Sequence, residues 1–99
     1  MPTGIGSGIA IPHARIENLK NVALAFGRSA SGIDFRAPDQ APARLIFLIL
    51  APIHDEGAQV RTLAQIARVT SKAEIRQALL EAGTAEQVCQ LIQDAEAAL

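Results

Sequence analysis

His13 and His54 are the two imidazoles in this chain, and the first sits in its most chemically suggestive segment. Thr3-Gly4-Ile5-Gly6-Ser7-Gly8-Ile9-Ala10-Ile11-Pro12-His13-Ala14-Arg15 places alternating glycines, a short apolar run and a proline ahead of one ring. Glycine permits backbone conformations and close approaches that a Cβ forbids. Pro12 fixes its own φ and biases Ile11 towards extended geometry. An imidazole on so stiff a backbone is suited to act as nucleophile, base or ligand. On pattern alone, an ordinary surface or hydrogen-bonded histidine is commoner. The neighbouring Pro12 and glycines make the functional reading about as good, because strained turns gather at active sites. Arg15 can steady an anion near the ring, although a solvated arginine is the commoner outcome. His54 follows an apolar run in Pro52-Ile53-His54-Asp55. Loops at strand ends of open α/β sheets bind ligands, so His54 could approach His13, against the commoner outcome of a solvent-facing loop histidine.

Other chemistries find less support. A dinucleotide loop needs a strand before it and a third glycine where Ile9 stands, and a P-loop needs Lys followed by Ser or Thr. Gly6-Ser7-Gly8 precedes a strand-like run rather than a helix, which argues against a serine nucleophile elbow. Two histidines with scattered carboxylates do not make a three-ligand metal site, so no metal is expected. Cys89, the single cysteine, cannot form an internal disulfide and reads as a packed small hydrophobe between Val88 and Leu91. That usage fits a reducing cytoplasm. A net charge of -1 gives no electrostatic support for nonspecific binding to nucleic acid or anionic membrane. With neither Trp nor Tyr, base-stacking platforms are not expected. The apolar run Leu45 to Ala51 is far short of the roughly 20 residues needed to span a bilayer. No signal segment opens the chain.

The elements that must position these side chains follow from periodicity. Ninety-nine residues make one small domain, and with three Phe as the only aromatics its core must be aliphatic. Ile9-Ala10-Ile11 reads as a short buried strand that Pro12 stops, putting His13 at the mouth of a sheet. Val22 to Phe26 has strand length, Ser29 to Gly32 reads as a turn, and Ala37 to Ala43 as a loop. Leu45 to Leu50 is apolar without alternation, which predicts a strand buried on both faces, with helices on each side. Asp55 can cap a helix to about Val69 with Val60, Leu63, Ala64 and Ala67 as its apolar stripe. Ser71-Lys72-Ala73-Glu74 and Thr84-Ala85-Glu86-Gln87 both carry the capping-box pattern. Ile75, Ala78, Leu79 and Ala82 follow the first, with Gly83 as a stop, and Val88, Leu91, Ile92 and Ala95 follow the second.

The run from Thr3 to His13 resembles the enzyme IIA domains of the fructose/mannitol class of the bacterial sugar phosphotransferase system, including its nitrogen-regulatory branch. The strand ending in Ala51-Pro52, the helix through Leu63-Ala64-Gln65-Ile66-Ala67-Arg68 and the capped C-terminal helices fall in that family's order. The resemblance implies an α/β fold, a mixed sheet with helices on both faces, lacking the family's N-terminal elements. Residues 1–99 would then form one partial IIA type-2-like domain. It further implies that His13 accepts a phosphoryl group from a histidine phosphocarrier protein and delivers it to a IIB-type domain. That makes the chain a phosphotransferase component acting through a phosphohistidine, without cofactor. Backbone N–H groups near Gly6 and Gly8, or at the helix opening at Asp55, would hold the phosphoryl oxygens. Gln59 stands where the family has a second histidine. It can donate a hydrogen bond but carries no charge. His54 would compensate if its loop folds inwards. The family's active-site arginine comes from the N-terminal part, and Arg15 or Arg61 would partly substitute for it. An exposed face would call for a partner surface or a homodimer. The alternative is a non-catalytic regulatory interaction module, of nitrogen-regulatory or transporter-associated type, that acts on a target protein and is switched by phosphorylation or has lost it.

Overall fold

Leu45-Ile46-Phe47-Leu48-Ile49-Leu50 forms the middle of the central strand in the computed structural model, which describes residues 4–98. Thr3, which opens the resemblance motif, lies outside the described residues. The strands are β1 (Gly4–Gly6), β2 (Ile9–Ala10), β3 (His13–Ile16), β4 (Ala23–Ile33) and β5 (Ala43–Pro52). The helices are α1 (Glu56–Val69), α2 (Ala73–Glu81) and α3 (Ala85–Ala97). The five strands make one mixed sheet around β5: β2 and β3 run parallel to it, β4 antiparallel, and β1 forms a hairpin with β2. Contacts cluster into two units, one reaching to Leu63 and one beginning at Ala64, so the boundary falls within α1. No helix is long and apolar enough to cross a membrane among the described residues.

In the first unit, β5 departs from the expected two-sided burial. Leu45, Phe47, Ile49 and Ala51 are buried, while Leu48 is 37% exposed. The reason is cross-strand: Ile46, Leu48 and Leu50 lie opposite Gly27, Ala25 and Ala23, which are too small to cover them. On the other face, Phe26 lies opposite Phe47 with ring centroids 5.1 Å apart. The expected turn at Ser29–Gly32 is instead part of β4. There β4 advances five residues, Arg28 to Ile33, while β5 advances two. The Gly32 N–H donates to the Ser29 hydroxyl at 3.1 Å, and Gly32 has φ +85 with the Pro42 ring beside it. The turn-like composition therefore marks a bulge.

Pro12 interrupts the sheet edge rather than ending it. It has no N–H to give, yet its carbonyl accepts from Ile49 N–H at 2.9 Å and pairing resumes at His13. Ser7 and Gly8 both have positive φ and form the two-residue turn of the β1–β2 hairpin. Asp39 holds that turn from the loop before β5, accepting from the N–H groups of Ser7 at 2.9 Å and Ala41 at 3.0 Å.

The helices correct three further expectations. In α1 the buried residues are Ala58, Ile66 and Val69, whereas Val60 is 65% exposed. Thr62 lies between Ala58 and Ile66 at helical spacing, and its hydroxyl donates to the Ala58 carbonyl at 2.8 Å, so a polar type interrupts the apolar pattern. In the second unit, Ser71 does not cap α2. Its hydroxyl donates to the Arg68 carbonyl at 2.7 Å, and the N-cap is Lys72 with no side-chain bond. Arg76 closes that corner through the carbonyls of Thr70 and Ser71. The box at Thr84 forms as expected, with Thr84 and Gln87 each accepting the other's backbone N–H at 3.2 Å. Cys89 is exposed rather than packed, one position round the helix from buried Val88.

Two tests follow from these contacts. N–H bonds, first from Ser7 and then from Ala41, hold the Asp39 carboxyl below its ordinary value of 3.8. A lowered folded-state value stabilises the fold fully above the unfolded value, and that stability is lost as pH falls through the folded one. Asp39→Asn is expected to lower the urea midpoint at pH 7, with the gap to the parent closing between about pH 4 and pH 2. A gap that stays constant across that range contradicts the assignment. Leu79 is completely buried, so Leu79→Ala is expected to cost about 2–5 kcal/mol in urea unfolding.

Candidate functional site

His13 opens β3 and pairs with Ile49 of β5. Its Nδ1 lies 3.0 Å from the Ile11 carbonyl oxygen, two residues back across Pro12. A carbonyl only accepts, so Nδ1 carries the proton, and the neutral ring keeps its lone pair on Nε2. The side chain is half-buried, and its anchoring bond is made by its own backbone. The tautomer of this ring is therefore set locally.

Arg15 lies two residues along β3 and so points to the same face as His13, about 7 Å further on. Its Nη1 donates to Glu56 Oε1 at 2.7 Å, in the first turn of α1. The opening of α1, expected to offer free N–H groups, carries its own carboxylates. Asp55 Oδ1 accepts from Ala58 N–H at 3.1 Å, and Glu56 adds a second negative charge where the helix dipole favours one. Arg61 Nη2 stands 3.9 Å from Asp55 Oδ2, which places it on the helix cap.

The glycine turn is not beneath the imidazole. The Gly8 carbonyl accepts from Arg44 and Leu45 N–H, and Ile9 pairs with Leu45, whereas His13 pairs with Ile49. Four register steps separate the two levels, about 13 Å. Gly6 and Gly8 therefore lie apart from His13, Gly6 close to Asp39. His54 is exposed in the turn between β5 and α1, beyond the point where Ile53 N–H reaches the Ile16 carbonyl. No hydrogen bond joins it to His13 among the described residues. Gln59 is half-buried on α1, three residues after Glu56. No group of three His, Cys, Asp or Glu residues could hold a metal ion among the described residues.

Sequence reasoning missed Glu56 and Asp39. Glu56 shows only as an acid in a first helical turn, which the helix dipole explains without any partner. Asp39 shows only as a loop residue after Pro38. What assembles at His13 is an outward Nε2 lone pair with a guanidinium on the same face. That pairing suits attack on an electrophilic centre that carries negative charge.

The family described as "Phosphoenolpyruvate-dependent sugar phosphotransferase system, EIIA 2" matches residues 1–95. The chain is 41% identical over 86 residues to the fructose-specific EIIA component of Haloferax volcanii, covering 87% of this chain and 56% of that protein. It is 36% identical over 94 residues to the nitrogen regulatory protein of Pseudomonas aeruginosa, covering 95% of this chain and 61% of that one. The crystal structure of nitrogen regulatory protein IIA-Ntr from Neisseria meningitidis superposes with a TM-score of 0.85 at 36% identity, over 92% of this chain and 62% of that one. IIA mannitol from Escherichia coli shares the fold, with a TM-score of 0.72 at 18% identity, over 93% of this chain and 65% of that one. The chain thus spans less than two thirds of each of these proteins. With the Pro12-His13 motif at the sheet edge and this match across nearly all its residues, the chain belongs to the EIIA 2 family of the sugar phosphotransferase system.

Proposed function

We propose that this chain is a phosphoryl carrier, in which His13 takes the group from a histidine phosphocarrier protein and passes it to a IIB-type acceptor. The observation that carries this reading is the His13 Nδ1 bond to the Ile11 carbonyl, which leaves Nε2 as the nucleophile. The donor is a phosphohistidine protonated on its second ring nitrogen. Its N–P bond breaks as His13 Nε2 bonds to phosphorus, and the donor imidazole leaves neutral. The positive charge then rests on the His13 ring, whose Nδ1–H stays on the Ile11 carbonyl. In the onward step the acceptor's thiolate bonds to phosphorus, the His13 N–P bond breaks, and the ring returns to the same neutral tautomer. The exchange balances without a nucleotide or other cofactor.

Phosphoryl transfer of this kind depends on alignment and on charge stabilisation more than on covalent work by the protein. A preset ring supplies the alignment. Arg15 supplies positive charge for the phosphoryl oxygens from the same face of the sheet. Gln59 is assigned a neutral amide donor role, weaker than the imidazolium it replaces. Gly6 and Gly8 are left out of this cradle because of their distance along the sheet, and His54 because it lies in the exposed turn. The carrier would work in the cytoplasm, where its phosphorylated donor is found.

A second reading is favoured by the relatives called nitrogen regulatory protein and by the uncharged Gln59. In it the chain is a regulatory module, and a target protein distinguishes its phosphorylated from its free form. Incubation with the phosphorylated histidine phosphocarrier protein separates the readings. The carrier is expected to acquire an acid-labile, base-stable phosphate, to lose it to a IIB domain, and to acquire none as His13→Ala. Phosphate that forms but never moves on supports the regulatory module instead. His54→Ala is expected to leave the rate of phosphorylation within about twofold of the parent, as for a surface substitution away from the site. A loss of tenfold or more would bring His54 into the site.

A further inference from the structure

The contact between Arg15 and Glu56 joins the His13 edge of the sheet to the start of a helix. Both side chains are solvent-exposed, at 44% and 78%, and their separation is 2.7 Å. We propose that Glu56 is a positioning residue, which holds Arg15 beside the unmodified His13 and gives it up to the phosphoryl group once His13 carries one. This inference rests on the reading of His13 as phosphoryl acceptor, and adds to it a contact that distinguishes the two states of the carrier.

The argument is one of reach and competition. His13 and Arg15 sit two residues apart on the same strand face, about 7 Å. A guanidinium on its flexible stem spans that distance, and its planar fork can bind two oxygens at once. Without phosphate, the guanidinium is bonded to the carboxylate of Glu56. Exposed pairs of this kind are weak and screened by salt. A phosphoryl group on Nε2 brings three acceptor oxygens and about two negative charges. It would outbid one carboxylate for the same guanidinium. Glu56 loses little when Arg15 leaves, because the first turn of α1 favours a negative charge there in any case. Glu56 therefore opposes phosphorylation slightly, by competing for Arg15. The exchange also leaves a changed charge pattern at the start of α1, beside Asp55 and Arg61.

The test uses the full chain with phosphorylated histidine phosphocarrier protein as donor. The equilibrium partition of phosphate between donor and chain is measured for the parent, Glu56→Gln, Arg15→Gln and the double variant. Glu56→Gln is expected to shift the partition about two- to fivefold towards the chain, the scale of an exposed ion pair. In the Arg15→Gln background the same change should have no effect. A second readout follows the contact directly: the carbon-13 signal of the Glu56 side-chain carboxylate should move on phosphorylation to its position in Arg15→Gln. An unshifted partition, a shift that persists without Arg15, or an unmoved carboxylate signal overturns the proposal while leaving the carrier reading intact. Absence of any phosphate on His13 overturns both.

Discussion

The hydrogen bond from His13 Nδ1 to the Ile11 carbonyl depends on where the sheet edge is broken. Pro12 lies between donor and acceptor, and its missing N–H is what divides the strand into β2 and β3. The break does not free the segment, because the Pro12 carbonyl is itself held by Ile49 and Ile16 closes the far end against Ile53. The ring is therefore tied to a backbone that is tied to the central strand. An imidazole fixed in this way needs no carboxylate partner to choose its tautomer. It can carry positive charge with its proton already placed.

The glycines act elsewhere. Their turn is a tight hairpin at the other end of the paired segment, where Ser7 and Gly8 take up positive φ and Asp39 accepts the Ser7 N–H. A Cβ at Gly6 would stand 3.1 Å from the Asp39 carboxylate. The motif thus combines two devices in one stretch of sequence: a turn that sets the register of β1 on β2, and a proline that sets the imidazole. The first fixes the second only through the strand between them.

What was legible in the sequence follows the same division. The break in the strand at Pro12 and the Thr84 box were readable because each is local, set by residues a few positions apart. Ser71 carried the same pattern as Thr84 and failed, because the end of α1 arrives with an Arg68 carbonyl that needs its hydroxyl. Ser29 to Gly32 looked like a turn because a bulge needs the same residue types. The burial of β5 could not be read from its own residues, since the coverage of Leu48 depends on Ala25 across the strand pair. Thr62 hid the buried line of α1 by satisfying its hydroxyl within the helix. Each miss is a case in which a partner distant in sequence, or a polar group satisfied locally, decided the outcome.

The charge arrangement near His13 follows from helix capping. Asp55 caps α1 through the Ala58 N–H, and Glu56 complements the same dipole. Two carboxylates in consecutive positions would repel an approaching anion if they stood alone. Arg15 and Arg61 answer them one for one, at 2.7 and 3.9 Å. The closer pair is made to the sheet and the looser one within the helix. Only the arginine on the sheet shares a face with the imidazole. The helix can therefore be capped by acids, and the site can still present a cation, because the two arginines come from different elements and only one of them is placed to serve both.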